Sequence, residues 1–401
     1  MSDHSVNIVK VGEAQKHPNA DRLEILEIYG YQVISKKGTF KKGDLAVFVE
    51  PDYVVPFKEP FKFLFESKSQ PGTFKEEPSR GRVRTIKLRG ERSYGLLLPV
   101  TDCPELQVKD MKPGTNVMEI LGIKRWEPPA PDDMPGQGTK AGDPVKGPKG
   151  VEVPHYDIEN LQRYPNVMKQ GEDCVATEKL HGSQFKLVYQ NGVLFIGSRN
   201  QWKIRARDPK MLLGWVANKW RQWFPGEEKR SIGAWAKILK IPDFHIVWDF
   251  LRKHPRYALY GEVVGPSVQK GYAYGVPDGE VRIRFFEIYD MHEPRWPKTG
   301  VDGEMYEPLE GFGKFMDWWK IKNYLSEDVD CYQLFRKFWV PVIYAGPYDQ
   351  KMLLAACEGN STIKEDLVRE GIVVRPVHER FEPRFGRAIL KVVNPAYLER
   401  E

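Results

Sequence analysis

The pattern of hydrophobic and polar positions divides the chain into three stretches. In the first, up to about residue 125, short β-rich segments alternate with turns built from Gly, Pro and Asp. These segments cover residues 6–9, 23–28, 31–35, 45–50, 83–90 and 95–100. Short strands in close succession, without long helices between them, predict a small β-barrel.

The second stretch, residues 127–153, is rich in Pro and Gly and nearly devoid of large apolar side chains. Such a segment buries too little apolar surface to fold by itself, so we interpret it as a linker or a long mobile loop. It sets the predicted boundaries, which are a first domain of residues 1–125, a linker of residues 126–154 and a second domain of residues 155–401.

The third stretch mixes helical and strand patterns. Apolar residues at helical spacing predict helices in residues 211–224, 312–325 and 348–358. Residues 185–196 are β-rich and contain the turn dipeptide Asn191-Gly192, which predicts a hairpin. The third stretch is therefore expected to fold with both helices and sheets.

Length and composition exclude several classes of protein. At 401 residues the chain is too long for one ordinary core, which makes two domains the expected number. Hydrophobic residues are 41% and charged residues 29%, as in globular rather than disordered chains. No apolar run approaches the roughly 20 residues that a membrane span needs, and no signal-like core opens the chain. We therefore expect a soluble, cytoplasmic protein without a membrane partner.

Cysteine spacing and net charge exclude fewer classes of protein. Cys103, Cys174, Cys331 and Cys357 form no CxxC pair, so we expect reduced thiols rather than a zinc site or disulfides. The net charge of +6 suits a polyanionic partner, but many enzymes that bind no nucleic acid are equally basic. Composition alone leaves function open.

The segment with the most informative chemistry is Val175-Ala-Thr-Glu-Lys-Leu-His-Gly, in which Lys179 precedes His181 and Gly182. An amine attacks phosphorus only without its proton, and a free lysine has a pKa of about 10.4. A nucleophilic lysine therefore needs nearby cations or a metal ion that lower its pKa. Gly182 allows a nucleotide to approach the backbone closely. The KxxG tetrapeptide alone is equally consistent with a surface lysine before a turn.

Five later segments place further candidate residues on or beside predicted strands. In chain order they are FIGSRN with Arg199, YGEVVGPSVQK with Glu262, RFFEIYDM with Tyr289 and Asp290, EGIVVRP with Glu370 and Arg375, and AILKVVN with Lys391.

In this order the segments are similar to the motifs of the lysine nucleotidyltransferase superfamily. They most resemble RNA ligases related to the phage nick-sealing enzyme and the kinetoplastid RNA-editing ligases. EKLHG resembles the EKxHG motif of these ligases, whereas DNA ligases usually have Asp in place of His181. The resemblance covers about residues 155–401 and implies an α+β fold, with a nucleotidyltransferase core of antiparallel sheets and flanking helices.

The resemblance implies a role for each candidate. Lys179 would attack the α-phosphorus of ATP to give lysyl-AMP and pyrophosphate, with Lys391 on the α-phosphate. Glu178 would help to read adenine, and Tyr289 would stack on it. The other implied contacts are Arg199 with ribose and phosphates, Glu262 with ribose or a divalent cation (Mg²⁺ or Mn²⁺), Glu370 with that cation, and Arg375 with phosphate.

The same resemblance implies the reaction. An RNA 3′-hydroxyl would be joined to a 5′-phosphate through an adenylylated 5′ end. We expect the substrate to be a nick or break in a duplex with RNA on the 3′-hydroxyl side.

Each candidate also has an ordinary structural interpretation. Glu262 and Glu370 are compatible with strand-end carboxylates that bind nothing. Tyr289 is compatible with a half-buried strand aromatic, Arg375 with a surface cation, and His181 with a residue that caps a turn.

Three positions depart from the pattern of the resembling ligases. Val393 stands where a second lysine is frequent, so a phosphate contact is missing or comes from Arg387 or Arg375. Tyr289 replaces Phe, which should preserve stacking. Gln184 stands where Asn is frequent, so the sequence does not predict whether it contacts ribose or phosphate.

The N-terminal stretch resembles a different module. His17-Pro-Asn-Ala-Asp-Arg-Leu-Glu-Ile is similar to a signature of OB-type tRNA-binding modules, and residues 83–99 strengthen the likeness. An OB-like barrel before the ligase core is the arrangement of Deinococcus-type RNA ligases. Such barrels bind single strands through basic grooves and stacking aromatics. The candidate cations, which are equally compatible with solvated strand faces, are Lys36, Lys37, Lys41, Lys42, Arg82, Arg84, Lys87 and Arg89.

Two alternative functions remain compatible with the sequence. A DNA ligase or a GTP-using capping enzyme shares the lysine chemistry, but these typically continue into another barrel, and only ten residues follow Lys391. A non-catalytic OB-type RNA-binding protein is the more distant rival, and the intact Lys179, Glu262 and Glu370 argue against it.

Overall fold

The computed structural model describes two compact units, formed mainly by Asp3–Pro128 and by Pro129–Tyr397. The described residues are all except 1–4, 52, 67–71, 77–79, 107–110, 127–144, 209–233, 270, 295–296, 300–304, 309–311, 328, 383–385 and 399–401.

The first unit is built from short strands. They are β1 (Asn7–Lys10), β2 (Gln15–Lys16), β3 (Leu23–Ile28), β4 (Tyr31–Lys36), β5 (Leu45–Val49), β6 (Tyr53–Val54), β7 (Ile86–Leu88), β8 (Glu91–Ser93), β9 (Leu96–Pro99) and β10 (Lys124–Arg125). They form the antiparallel sheets β1-β5-β9 and β2-β3-β4 and the pairs β6-β10 and β7-β8. Single 3₁₀ turns cover Lys62–Phe65 and Val100–Asp102.

Both faces of the sheet β1-β5-β9 are buried. Ile8 and Val47 lie in one hydrophobic cluster, whereas Val9 and Phe48 lie in a second cluster with Leu26 of β3. Successive strand residues point to opposite faces, so a strand buried on both sides needs a continuous apolar run. The sequences of β1 and β5 supply such runs, and the predicted short strands are confirmed.

His17 connects the segment before β3 to the hairpin β7-β8 through hydrogen bonds. Its side chain is fully buried; Nδ1 accepts the backbone N–H of Asn19 at 3.1 Å, and Nε2 lies 3.2 Å from the Leu88 carbonyl. Because Nδ1 accepts, the ring proton lies on Nε2 and is donated to that carbonyl. His17 therefore has a structural role in this unit.

The second unit contains two larger sheets. Its strands are β11 (Glu159–Asn160), β12 (Asp173–Lys179), β13 (Ser183–Gln190), β14 (Val193–Ser198), β15 (Trp202–Arg207), β16 (Tyr257–Val264), β17 (Arg282–Pro294), β18 (Pro297–Thr299), β19 (Met305–Pro308), β20 (Phe312–Phe315), β21 (Val342–Pro347), β22 (Gly371–Pro376) and β23 (Leu390–Val393). The five-stranded sheet has the order β11-β23-β22-β12-β21, and the six-stranded sheet has the order β15-β14-β13-β16-β17-β20. β18 pairs with β19 alone.

Six α-helices lie among the described residues of the second unit. They are α1 (Ala234–Lys237), α2 (His245–Lys253), α3 (Trp318–Glu327), α4 (Val329–Phe338), α5 (Gln350–Cys357) and α6 (Pro395–Leu398). A 3₁₀ turn, Ile238–Lys240, follows α1. None of the described helices is long and apolar enough to cross a membrane.

An apolar cluster joins the two sheets. Val188, Ala258 and Tyr289 of the six-stranded sheet belong to it, and Ile389 and Val373 contribute from the segments of the five-stranded sheet. The other face of the five-stranded sheet packs on α5 in a separate cluster. The faces that meet in the shared cluster also carry Lys179, Lys391 and Tyr289, whereas Glu178 lies on the other face of its sheet.

The local predictions have mixed outcomes. The hairpin β13-β14 is confirmed, with Asn191 and Gly192 at φ 51° and 73°. The helix predicted at 348–358 is confirmed as α5, which Asp349 caps by accepting the N–H of Met352. The helix predicted at 312–325 is wrong in its first turn, because Phe312–Phe315 pair with β17 as β20. The helix predicted at 211–224 lies outside the described residues.

Part of the predicted linker packs on the second unit. The backbone N–H of Val145 donates to the Trp202 carbonyl at 3.0 Å, and Val151 and Val153 pack partly buried against the cluster between the sheets. Residues 127–144 lie outside the described residues. The domain boundaries given above stay a prediction.

The packing of β22 generates a stability prediction. Ile372 is fully buried against α5, so Ile372→Ala should lower the free energy of unfolding by about 2–5 kcal/mol through lost burial and a residual cavity. Denaturant unfolding monitored by circular dichroism measures this loss. Val342→Ala in the same sheet is the control, because Val342 is 41% exposed, and it should cost less than about 1 kcal/mol. Equal losses would contradict this packing.

Candidate active site

The chain crosses from one sheet to the other next to Lys179. β12 ends at Lys179 in the five-stranded sheet, and β13 begins at Ser183 in the six-stranded sheet. At Gly182 a Cβ atom would lie 2.2 Å from the Val263 carbonyl oxygen and 2.9 Å from Cγ of Glu262. No larger residue fits there, so Gly182 lets the crossover lie directly against β16.

Lys179 is paired with a carboxylate. It lies opposite Gly371 in the β12-β22 register, and its Nζ forms a short ion pair with Oε1 of Glu370, the residue before β22. The second oxygen, Oε2 of Glu370, is buried without a hydrogen-bond partner in the described structure. This pairing stabilises the ammonium form of Lys179. The immediate partner of Lys179 is therefore a carboxylate and not one of the expected cations.

Glu262 completes a cluster of three ionisable side chains. Its pKa is raised to about 8, mainly by burial; Lys179 and the backbone N–H of Gly182 lower it, whereas the charge of Glu370 raises it. The Glu262 side chain is half-buried and interacts electrostatically with both Lys179 and Glu370. The structure thus brings together Lys179, Glu262 and Glu370, as the sequence predicts.

Glu178 lies on the opposite face of β12 from Lys179. Its Oε2 accepts the backbone N–H of Thr362 at 2.9 Å and the Thr362 hydroxyl at 2.5 Å. Its Oε1 is buried without a hydrogen-bond partner in the described part of the chain. An unsatisfied buried acceptor is costly, so this oxygen suits a ligand that donates a hydrogen bond.

Lys391 shares a sheet face with Lys179. In the β22-β23 register Lys391 lies opposite Val373, and Val393 lies opposite Gly371, the partner of Lys179. Residues two apart on a strand point to the same side. Lys391 therefore faces the side on which Lys179 lies, and Val393 leaves that side without a second cation on β23.

Arg199 and Tyr289 occupy separate positions on the six-stranded sheet. Arg199 follows β14 and forms a short ion pair with Asp157. Tyr289 is buried with its ring centroid 5.0 Å from that of Phe315. A Cβ at Gly313 would lie 1.7 Å from the Tyr289 hydroxyl, so β20 needs glycine there. The ring lies in the cluster between the sheets, on the same face as Ala258, its partner on β16.

The structure does not bring Arg375 or Arg387 to the Lys179 cluster. Arg375 lies 2.6 Å from Glu287 and 3.7 Å from Glu379, and Arg387 contacts the same two carboxylates at 3.3 and 2.5 Å. Two cations and two anions make a buried, neutral network, which Tyr156 joins by donating to Glu287 at 3.2 Å. In this structure both arginines are engaged in that network, and the suggestion that either replaces the lysine absent at Val393 stays a prediction.

Three polar contacts of the site were missed by the sequence analysis. The hydroxyl of Tyr274 accepts the backbone N–H of His181 at 2.9 Å, Asp157 holds Arg199, and Thr362 holds Glu178. These residues come from segments far apart in the chain. Only Tyr274 carried a signal, because it lies in the aromatic, glycine-bounded stretch Gly271-Tyr-Ala-Tyr-Gly.

The acidic pair fits a hydrated divalent cation. The described residues contain no group of three or more His, Cys, Asp or Glu side chains that could enclose a metal. Mg²⁺ and similar ions usually take one or two carboxylates and keep water or substrate phosphate as their other ligands. Glu262 and Glu370, with the unpartnered Oε2 of Glu370, match that requirement.

Comparison with known families identifies the class of protein. A family model described as RNA ligase matches residues 172–393, which include Lys179, Glu262, Glu370 and Lys391. A second model, described as an OB-fold domain, matches residues 5–100. The first match spans more than half of the chain, so this chain belongs to the RNA ligase family. Its fold is a nucleotidyltransferase core preceded by a small OB-fold barrel, as expected from the sequence.

Solved structures share this architecture along the full length. RNA ligase from Naegleria gruberi, as a variant with ATP and Mn, is 22% identical with a TM-score of 0.67 and covers 99% of each chain. A variant with AMP and Mn is 23% identical with a TM-score of 0.66, covering 99% of this chain and 98% of that one. The same ligase with PPi is 22% identical with a TM-score of 0.65 and the same coverage. At this identity the likeness establishes the fold.

The raised pKa of Glu262 generates a prediction about stability and pH. The folded carboxyl keeps its proton up to about pH 8, whereas the unfolded one loses it near its ordinary pKa of about 4.3. The folded state then binds more protons, so this group makes stability fall as pH rises between these values. With a chelator present, Glu262→Gln should show a shallower fall in Tm from pH 5 to pH 8 than the unchanged protein.

Glu358→Gln is the matched control for this measurement, because Glu358 is an exposed carboxylate after α5. It should keep the slope of the unchanged protein. A slope for Glu262→Gln that equals that of Glu358→Gln would show that Glu262 ionises normally.

Proposed function

We propose that this RNA ligase uses ATP, stores AMP on Lys179 and joins an RNA 3′-hydroxyl to a 5′-phosphate. The observation that carries the proposal is the cluster of Lys179, Glu262 and Glu370 at the crossover between the two sheets. It combines one amine with two carboxylates suited to a divalent cation. The structures of similar fold with ATP, AMP and PPi support the choice of nucleotide.

The first step requires Lys179 to leave its ion pair. In this step Nζ forms a bond to the α-phosphorus of ATP, the bond to the bridging oxygen breaks, and pyrophosphate leaves with the electron pair. The ammonium must first lose its proton. A divalent cation would be held by Glu370 and Glu262 and would supply positive charge to offset that of the phosphates. Lys391, on the same sheet side, supplies a cation for the α-phosphate.

The next two steps return Lys179 to its starting state. An oxygen of the RNA 5′-phosphate attacks the phosphorus of lysyl-AMP, the P–N bond breaks, and the amine takes a proton. The 3′-hydroxyl then attacks the 5′-phosphate phosphorus, loses its proton and displaces AMP. Each step is a displacement at phosphorus, so one set of charged residues serves all three.

Adenine recognition is assigned to Glu178 and Tyr289. The buried, unpartnered Oε1 of Glu178 is an acceptor suited to the exocyclic amino group of adenine. Guanine offers a carbonyl oxygen at the corresponding position, which cannot donate to a carboxylate. Tyr289 is assigned to the base on its place in the motif, and its ring is buried in the apolar cluster between the sheets. Arg199, held by Asp157, is assigned to the ribose and phosphates.

RNA contacts are assigned to the first unit as well. Phe63 and Phe74 are 50% and 42% exposed, and Nζ of Lys62 lies 5.8 Å from the Phe74 ring centroid. Exposed aromatics beside cations suit single strands, whose bases stack while the phosphates are neutralised. The cations named from the sequence are exposed, except the half-buried Arg82, which lies over the Trp126 ring.

Transfer of label from ATP tests the covalent intermediate. The protein is incubated with α-labelled ATP and Mg²⁺ or Mn²⁺ and then separated under denaturing conditions. The unchanged protein should retain label, whereas Lys179→Ala should lose essentially all of it, because Lys179 is the amine paired with Glu370 beside Glu262. Lys351→Ala, in an exposed lysine of α5, is the control and should label normally.

Two results would contradict this assignment. Equal labelling of Lys179→Ala would remove Lys179 from the mechanism. Stronger labelling by α-labelled GTP than by ATP would contradict the role of Glu178 and favour a capping-type nucleotidyltransferase.

Strand preference tests the substrate. We expect a nicked duplex with RNA on the 3′-hydroxyl side to be sealed at least about tenfold faster than an all-DNA nick, a difference of about 1.4 kcal/mol in transition-state binding. Pre-adenylylated 5′ ends measure the last step without the first. Equal rates on the two nicks would refute this preference while leaving the lysyl-AMP step intact.

A further inference from the structure

Tyrosine side chains surround His181, which lies two residues after Lys179 in the crossover between the sheets. The backbone N–H of His181 donates to the Tyr274 hydroxyl at 2.9 Å. Its ring Nδ1 lies 2.8 Å from the Tyr397 hydroxyl. The Tyr272 ring packs edge-on at a centroid distance of 4.9 Å. Backbone and ring of His181 are thus both held, by residues from different segments.

Tyr397 reaches His181 from the segment that follows the Lys391 strand. Asn394 is fully buried; its backbone N–H donates to the Glu370 carbonyl at 2.9 Å, and its Oδ1 accepts the Ala396 N–H at 2.9 Å. This turn starts α6, and Tyr397 is buried on it. The backbone of Glu370 therefore fixes the start of the helix that carries Tyr397.

We propose that Tyr397 is a positioning residue for the ligase reaction, whose hydroxyl holds the His181 ring in one orientation and one tautomer beside the Lys179 cluster. An imidazole has two distinct nitrogens, and a hydrogen bond at one decides whether the other donates or accepts. If Tyr397 donates to Nδ1, then Nε2 carries the proton; if it accepts, Nε2 is an acceptor. In both cases the hydrogen bond with Tyr397 determines whether Nε2 of His181 donates or accepts a hydrogen bond.

The proposal rests on the proposed function, because it assigns Tyr397 to adenylylation through His181. Partners of this kind, which orient a functional histidine without touching substrate, fix ring rotation and proton position in many sites. The hydroxyl matters here, whereas the ring of Tyr397 also packs against Tyr272. Tyr397→Phe keeps the ring for that packing and removes the hydroxyl that bonds to His181.

Single-turnover labelling tests the consequence for catalysis. Tyr397→Phe should slow formation of lysyl-AMP about fivefold, the effect of one lost hydrogen bond, with the half-saturating ATP concentration unchanged. The control is Tyr344→Phe, which removes a hydroxyl that donates to the Pro347 carbonyl at 2.7 Å elsewhere in the five-stranded sheet. It should react like the unchanged protein. A rate for Tyr397→Phe equal to that of the control would overturn the proposal.

A double-mutant cycle separates positioning from general stabilisation. In a His181→Ala background the hydroxyl of Tyr397 has no ring to hold, so adding Tyr397→Phe should not slow labelling further. The same fivefold slowing in both backgrounds would show that Tyr397 acts independently of His181 and would overturn the proposal.

Histidine NMR gives a readout that needs no catalysis. The chain has eight histidines, so ¹⁵N-histidine labelling gives few signals, and those of His181 are the ones lost in His181→Ala. Long-range ¹H–¹⁵N spectra should show one tautomer of His181 in the unchanged protein and a mixture in Tyr397→Phe. Identical His181 signals in the two would refute the proposal. If the unchanged protein formed no lysyl-AMP, the proposed function would fail, and these spectra would still decide whether Tyr397 holds His181.

Discussion

The ion pair between Lys179 and Glu370 is the interaction on which the rest of the site depends. It exists because β12 and β22 are neighbours in one register, which sets Lys179 opposite Gly371, directly after Glu370. The crossover at Gly182 then brings Glu262 of the other sheet to the same place. Two sheets that meet along an apolar cluster therefore hold a charged group that neither sheet could assemble alone.

The group of Lys179, Glu262 and Glu370 differs in its charge balance from the other buried charges of the second unit. The network of Arg375, Arg387, Glu287 and Glu379 is neutral, and its charges contact each other directly. The Lys179 group has one cation for two carboxyl groups, of which Glu262 keeps its proton up to about pH 8. One oxygen of Glu370 is buried without a partner in the described structure. The arginine network also has buried atoms without hydrogen-bond partners, but these include both terminal donor nitrogens of Arg375 and an acceptor of Glu287. Beside Lys179 the unpartnered atom is an acceptor of Glu370, which indicates a place for an added cation.

The sequence could predict what depends on local pattern and ordered motifs. β-rich runs between turn residues predicted strands such as β3 and β5, and Asn191-Gly192 predicted the hairpin, because turn and strand preferences act over a few residues. The motif carboxylates and Lys179 were found from residue types in order. Long-range partners could not be found in this way. Phe312–Phe315 form a strand because they pair with β17. Arg375 forms an ion pair with Glu287, which lies in the RFFEIYDM segment but whose partner on another strand the segment does not reveal.

Val393 shows how the structure changes an interpretation that the sequence left open. A missing lysine suggested that a nearby arginine takes its place, and Arg375 and Arg387 were the candidates. Moving either guanidinium to a phosphate would leave one arginine for the two buried carboxylates Glu287 and Glu379, and breaking a buried pair costs about 3–5 kcal/mol. Phosphate charge is therefore better balanced by Lys391 on the same sheet face and by a divalent cation at Glu262 and Glu370. Because Val393 stands in place of a lysine, the divalent cation supplies a larger share of the positive charge at the site.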